Sequence, residues 1–337
     1  MLHRVGPRSQ VKMRSCGSEV TIDDWARQGY PACCLTLAEA QRARKAFQSF
    51  EIGKTPAMRR NRLRELLKAD KPSLGTHLMC SWPTIVELVG QSGMFDYVEF
   101  LAEYAPYDLY VLENLGRAVA LFDHMTAMMK IEQEPRTYLT IRAIGSGIQN
   151  ILFADPRTVE DVKECVRAVR AEAPRSGGLH GVGMRRDVGV VAEPGSPAFV
   201  QALDDAVLAL MIEKAPAVEN LDALLSVPGV DMVQFGPADF AMSIGLAGQW
   251  GHPRVQEAER FVIETALKKG IVPRAEIARP EDAKKYLDMG VKHFCIGWDV
   301  SILFNWFKDN GKAMLQLIGR ELPAAGLERI RPKNYPV

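Results

Sequence analysis

Beyond about residue 58, short and almost wholly apolar runs alternate with longer stretches in which apolar residues recur every three or four positions. Continuous apolar runs of this length suit strands covered on both faces, and the longer period suits helices that bury one stripe. The runs are SLGTHLM (73–79), YVEFLA (97–102), TAMMKI (126–131), NILFAD (150–155), LALMIE (208–213), MVQFGP (232–237), IVPRAEI (271–277) and HFCIG (293–297). Between them lie PTIVELVGQSG, DLYVLENLGRAVALFD, PRTYLTIRAIGSG, TVEDVKECVRAVRAEA, PAVENLDALLSVPG, HPRVQEAERFVIETALKKG and RPEDAKKYLDMG, and DVSILFNWFKDNGKAMLQLIGREL follows the last. Thr158 with Glu160 behind it reads as a helix start, while Gly229, Gly270 and Gly290 fall where helices should stop.

Eight strand–helix pairs over roughly 270 residues predict a (β/α)8 TIM barrel spanning 58–322. The rival, an open doubly wound sheet, usually has fewer strands and a glycine-rich first turn. GVGMRRDVG (181–189) is not that turn, because it lacks the third glycine and a preceding strand. Residues 1–57 form an N-terminal extension with one amphipathic stretch, LTLAEAQRARKAFQSF. The segment Pro174–Pro197, rich in Gly, Arg and Pro, predicts a long loop on a barrel face, where such loops often carry function. Residues 323–337 have no core pattern and are expected to be an extended tail at a subunit contact.

Composition narrows the partners. With 42 basic against 41 acidic side chains the net charge is +1, so no overall field favours nucleic acid or an anionic membrane. Six cysteines without a C-x-x-C pair fit neither a zinc site nor a disulfide framework and point to a reducing, cytoplasmic compartment. No leader-like or membrane-spanning apolar run stands out.

In such a barrel the active site forms at the carboxyl ends of the strands. The fifth run ends in Glu213 and the sixth in Gly236-Pro237-Ala238-Asp239. Two carboxylates on neighbouring strand ends suit a hard divalent cation, magnesium or manganese, with cobalt also compatible. The backbone around the glycine and alanine could receive a substrate carboxylate. An acidic residue at a strand end is also a common helix cap or salt-bridge partner, so both readings stand at this point.

The run LMIEKAPAVENLDALLSVPGVDMVQFGPADFAMSIGL resembles the core signature of the HpcH/HpaI class II aldolases: an I-E pair, an A-V-E-N-x-D helix, P-G-V-D, then G-P-x-D-L-S-x-x-x-G. The likeness extends more loosely over about 73–300. It implies a (β/α)8 barrel assembled as a homo-oligomer, a hexamer with swapped C-terminal helices. It also implies a metal-dependent lyase acting beside the oxo group of a small pyruvate-like carboxylate through a metal-stabilised enolate. On this resemblance Glu213 and Asp239 are the metal ligands, and Gly236, Pro237 and Ala238 hold the substrate carboxylate.

The chain departs from the family pattern elsewhere. In L-A-E-Y-A-P the family aspartate is Leu101 and its catalytic histidine is Tyr104, while Glu103 is kept. Lys130 stands for the pyruvate-binding arginine, Gly145 for the aspartate that pairs with the histidine, Met211 for a glutamine, and His180 for an arginine. A tyrosine is a poor base near neutral pH, and a lysine holds an anion as a point charge without arginine's fork. His77 or Tyr104 is the candidate for proton transfer, with Lys130, Glu103 and Arg274 around an anionic substrate. The competing readings are a structural histidine at 77 and a structural ion pair for Arg274 and Glu276 with each other or with a neighbouring strand. His124, His252 and His293 are taken as structural. The leading function is a metal-dependent carbon–carbon lyase. The alternatives are a non-catalytic barrel binding metal and carboxylate, and an acyl-CoA lyase of the citrate lyase type. An apolar cluster in the last helix, Ile302, Leu303, Trp306 and Phe307, fits either a swap between subunits or closure of its own barrel.

Overall fold

The computed structural model describes residues 12–15, 18–21, 59–183, 185–188 and 193–321. The chain divides into two compact units, Met1–Thr55 and Pro56–Val337. In the first, Lys12–Ser15 and Ser18–Thr21 pair as an antiparallel hairpin. The amphipathic stretch expected there and the tail at 323–337 lie outside the described residues.

The second unit is a closed parallel barrel of eight strands: β1 (Ser73–Leu78), β2 (Tyr97–Leu101), β3 (Thr126–Ile131), β4 (Asn150–Phe153), β5 (Leu208–Ile212), β6 (Met232–Phe235), β7 (Val272–Ile277) and β8 (His293–Trp298). Each strand pairs with the next in sequence, and β8 closes on β1. All eight runs identified from the apolar pattern are strands, with ends moved by a residue or two. The pattern is legible because β2 to β6 are buried along their whole length, helices covering one face and the barrel interior the other. Inside the barrel Tyr97, Met128, Leu152, Ala209, Met211 and Met232 pack together, with Leu63 of the helix Arg62–Lys68 in the same cluster. Gly75 makes room for this layer, since a Cβ there would lie 2.3 Å from the Tyr97 ring.

Carboxylates fasten the strand ends. Asp231 accepts from the Leu208 N–H at 2.9 Å and from Arg64 at 2.6 Å, which ties β5 to the helix Arg62–Lys68. Asp299, just after β8, accepts from the Met79 and Cys80 N–H groups at 2.9 and 2.8 Å, which locks the closing seam. The expected start at Thr158 is a full capping box with Asp161.

The apolar pattern did not reveal the helix Pro197–Asp204. Its signal is local: Ser196 caps it by accepting from the Phe199 N–H at 3.1 Å, Pro197 occupies its first turn, and Phe199 and Leu203 are buried. The loop expected from Pro174 therefore gives way to a helix at its far end. The last helix, Asp299–Leu317, buries only Asp299, and Trp306 and Phe307 are each 62% exposed. No described helix is long and apolar enough to cross a membrane.

Candidate active site

A cavity of about 410 Å³ opens at the carboxyl ends of the strands, where a barrel of this topology places its chemistry. Glu213, Asp239, Lys130 and Tyr104 all line it. Glu213 follows β5, is 3% exposed, and accepts from the Asp155 N–H at 3.0 Å. Burial pushes its carboxyl up to about 7. The ammonium of Lys130 pulls the other way, but the negative charges of Glu103 and Asp239 add to the rise. Among the described residues no cationic side chain forms an ion pair with Glu213.

Asp239 sits in the first turn of the helix Pro237–Ser243 and pairs with Lys214 at 2.5 Å. Gly236 is demanded by space: a Cβ there would lie 2.6 Å from the Glu213 Cβ and 2.9 Å from its Oε2. The expected cradle of Gly236, Pro237 and Ala238 needs correction. The Gly236 N–H is already donated to Ile212 O at 2.9 Å, and Pro237 has none. Only the Ala238 and Asp239 N–H groups, in the helix's first turn, remain for an anion.

Lys130, at the end of β3, lies 2.5 Å from Glu103 Oε2 and donates to the Tyr104 hydroxyl at 2.7 Å. Burial would lower its pKa, but the negative charges of Glu213 and Glu103 overcome that and raise it. Lys130 therefore stays an ammonium and is no nucleophile. Burial likewise raises the Tyr104 phenol in spite of Lys130, so Tyr104 keeps its proton. Because its oxygen accepts from Lys130, that proton is free to be donated elsewhere. Glu103, Tyr104, Lys130, Glu213 and Asp239 thus line one part of the cavity or contact it.

His77 and Arg274 belong to a second group on the β1, β2 and β7 side. The Arg274 guanidinium contacts Glu99 Oε2, donates from Nε to Gln234 Oε1 at 2.7 Å, and reaches the Tyr97 hydroxyl at 3.3 Å. Burial would raise the Glu99 carboxyl, but Arg274 and then His77 hold it below its ordinary value. Arg274 was expected at the substrate anion. Instead its charge is balanced by Glu99 and its side chain is sealed from solvent. His77, 2% exposed, lies opposite Glu99 in the β1–β2 register. Its Nδ1 is 3.2 Å from the Gly297 carbonyl and must donate to it, while Nε2 faces Glu99 Oε1 at 3.6 Å.

His77, Glu99 and Cys295 also bring three potential metal-ligand atoms within 4.8 Å of one another. Arg274 already supplies a positive charge to Glu99, and burial, followed by the Glu99 charge, pushes the Cys295 thiol well up. That donor set suits a cation less well than Glu213 with Asp239. Sequence reasoning missed Lys214 and Glu99. The signal for Glu99 was the same as for Arg274, a charge inside an otherwise apolar strand.

A parallel barrel whose mouth gathers carboxylates around one cavity defines a class, the (β/α)8 enzymes with an acidic, small-molecule site. The family model for HpcH/HpaI aldolase/citrate lyase matches residues 121–305, and the chain belongs to that family. It is an enzyme, a carbon–carbon lyase. A 4-hydroxy-2-oxo-heptane-1,7-dioate aldolase of Shigella boydii is 29% identical over 248 residues, covering 72% of this chain and 90% of its own. A hydroxypyruvate/pyruvate aldolase of Cupriavidus necator is 28% identical over 245 residues, covering 73% and 89%. The crystal structure of an HpcH/HpaI aldolase from Desulfitobacterium hafniense superposes with a TM-score of 0.68 at 27% identity, over 78% of this chain and 98% of that one.

The Glu99–Arg274 pair generates a stability prediction. Glu99→Leu strands a buried guanidinium and should cost about 3–5 kcal/mol, whereas the double change Glu99→Leu with Arg274→Leu should recover most of it. Urea denaturation of the wild type and the two variants measures both.

Proposed function

We propose that the protein is a divalent-metal-dependent aldolase that cleaves or forms a carbon–carbon bond beside the oxo group of a small 2-oxo acid. The observation that carries this reading is Glu213, a buried carboxyl pushed up to about 7 that shares a cavity with Asp239. A carboxyl in that condition calls for a cation, and Lys130 is already engaged by Glu103 and Tyr104. The donors are all oxygen, which suits Mg²⁺, Mn²⁺ or Co²⁺. Glu213 and Asp239 would hold the ion, with Lys214 competing for Asp239. When bound there, such an ion supplies Lewis-acid polarisation of a 2-oxo group.

The chain's own side chains do the rest. The Ala238 and Asp239 N–H groups receive the substrate carboxylate. Lys130, fixed by Glu103, places a permanent positive charge where negative charge develops. Tyr104 donates a proton from a hydroxyl whose oxygen Lys130 steadies. His77 stands behind this, linked to Glu99. A proton donor that is not also a good base fits the loss of the family's histidine at Tyr104. The substrate is a 4-hydroxy-2-oxo acid or a close analogue, the class named for the Shigella relative.

Two further parts of this reading concern the surroundings. The described cysteines, Cys80, Cys165 and Cys295, are free, in keeping with a cytoplasmic enzyme. The exposed apolar side chains of Asp299–Leu317, with Ile302, Leu303, Trp306 and Phe307 among them, need a cover, and a second copy exchanging this helix provides one in a hexameric homo-oligomer.

Incubation with Mn²⁺ or Mg²⁺ and a panel of 4-hydroxy-2-oxo acids should release pyruvate in a coupled assay, and no product with any member overturns the reading. Glu213→Gln and Asp239→Asn should each lower kcat/KM at least about a hundredfold. Below pH 7 a proton competes with the ion for Glu213, so Mn²⁺ affinity by calorimetry should fall up to about tenfold per pH unit there and level off above. Light scattering should give a multiple of the 37.4 kDa chain mass, and Trp306→Glu with Phe307→Glu should lower it.

A further inference from the structure

Glu213 is held from outside the cavity as well as facing into it. Its Oε1 accepts from the Asp155 N–H at 3.0 Å, while a Cβ added to Gly236 would lie 2.9 Å from its Oε2. The two oxygens are therefore distinguished. One is tied back to the chain that follows β4, and the other lies beside Gly236, the residue that leads into the helix carrying Asp239. Neither Asp155 nor the nearby Arg157 lines the cavity, so whatever Asp155 does there it does through Glu213.

The backbone that supplies this donor is unusual. The β4–β5 ladder ends at Phe153 and Leu210, and two residues further on Asp155 has a φ of +49°. That left-handed region is reached most easily by glycine, asparagine and aspartate, and a β-branched residue there is a genuine outlier. A residue before a proline, here Pro156, is otherwise biased to extended backbone. The chain beyond it is fixed. The Arg157 and Thr158 N–H groups both donate to Asp161 at 2.8 Å, at the capped start of the helix Val159–Val169. The Arg157 guanidinium reaches back to Asp155, donating from Nε to Oδ1 at 2.8 Å and contacting Oδ2. With that side anchored, a change of φ at Asp155 rotates the preceding peptide plane and swings its N–H away from Glu213.

We propose that Asp155 is the positioning residue for Glu213: its left-handed backbone aims an N–H at Oε1 and leaves Oε2 as the oxygen offered to a divalent cation. A carboxylate pinned through one oxygen presents the other in a fixed direction, whereas an unpinned one rotates and must be ordered when the ion binds. The side chain of Asp155 serves the same end, because its bond with Arg157 holds the turn in the conformation that directs the N–H. The role belongs to the backbone, so it is kept by residues that tolerate a positive φ and lost by those that do not.

This inference rests on the reading of Glu213 as a metal ligand, and Mn²⁺ calorimetry on the full chain separates the two. The variants are Asp155→Asn, Asp155→Gly, Asp155→Ala and Asp155→Val, with urea denaturation confirming that each is folded. All four lose the carboxylate that binds Arg157, so differences among them report the backbone alone. Glycine and asparagine differ in size and polarity and share their tolerance of the left-handed region. Asp155→Asn and Asp155→Gly should therefore bind Mn²⁺ alike, and at least about tenfold more tightly than Asp155→Val. Asp155→Ala should fall below them by at least about fivefold, and it carries the comparison if Asp155→Val does not fold. Affinities for all folded variants within about threefold of one another, or Asp155→Asn and Asp155→Gly as weak as Asp155→Val or Asp155→Ala, overturn the proposal and leave the metal reading standing. A wild type that binds no Mn²⁺ overturns both.

Discussion

A carboxylate taken out of water costs several kcal/mol unless a cation sits against it, and the mouth and upper interior of this barrel hold several. Three are balanced from within the chain: Glu99 by Arg274, Glu103 by Lys130, and Asp239 by Lys214. Glu213 has no such partner among the described residues, and its carboxyl rises to about 7. This inventory of charge, more than any single motif, separates the side chains that hold the fold from those that await a ligand. Arg274 and Glu99 balance each other's charge. Among the described residues, the one hydrogen bond to Glu213 comes from the Asp155 N–H.

The same constraint explains what replaces the family's histidine. A tyrosine in a buried site is driven toward its neutral form, and even the neighbouring Lys130 does not reverse that. Proton donation survives such a change while proton abstraction does not. Lys130 is kept charged by the carboxylates around it, which makes it an electrostatic post and excludes imine chemistry at its nitrogen. The pair works as one unit, because the lysine that steadies the phenolic oxygen is itself fixed by Glu103.

Much of this was legible in the sequence, for identifiable reasons. The strands were visible because parallel strands buried on both faces leave continuous apolar runs, and the site carboxylates because barrel chemistry collects where such runs stop. The helix Pro197–Asp204 was hidden because eight residues give too short a period to detect, although its serine and proline announce a start. The role of Arg274 was hidden for a different reason. Its partner Glu99 lies 175 positions away, and only closure of the barrel brings β7 and β2 to face each other across the interior. A charged residue in a strand signals that a partner exists without saying which. The cradle after β6 was misread in one detail, because the ladder bond of Gly236 to Ile212 depends on a register that the sequence does not print.

The two polar groups share a cavity yet differ in how freely they can change. Tyr104 projects from the loop after β2, Lys130 from the end of β3 and Asp239 from the first turn of a helix, all at the barrel mouth. Glu99, Arg274, Gln234 and Tyr97 are joined by hydrogen bonds inside the barrel, and removing either charge leaves the other buried and uncompensated. Gln234 belongs to both worlds, since its oxygen accepts from Arg274 and its nitrogen holds Glu276 at the cavity wall. The amide cannot turn over without setting its NH₂ against a guanidinium and its oxygen against a carboxylate. The buried ion pair therefore fixes which end of Gln234 faces the cavity, and through it where the wall carries its negative charge.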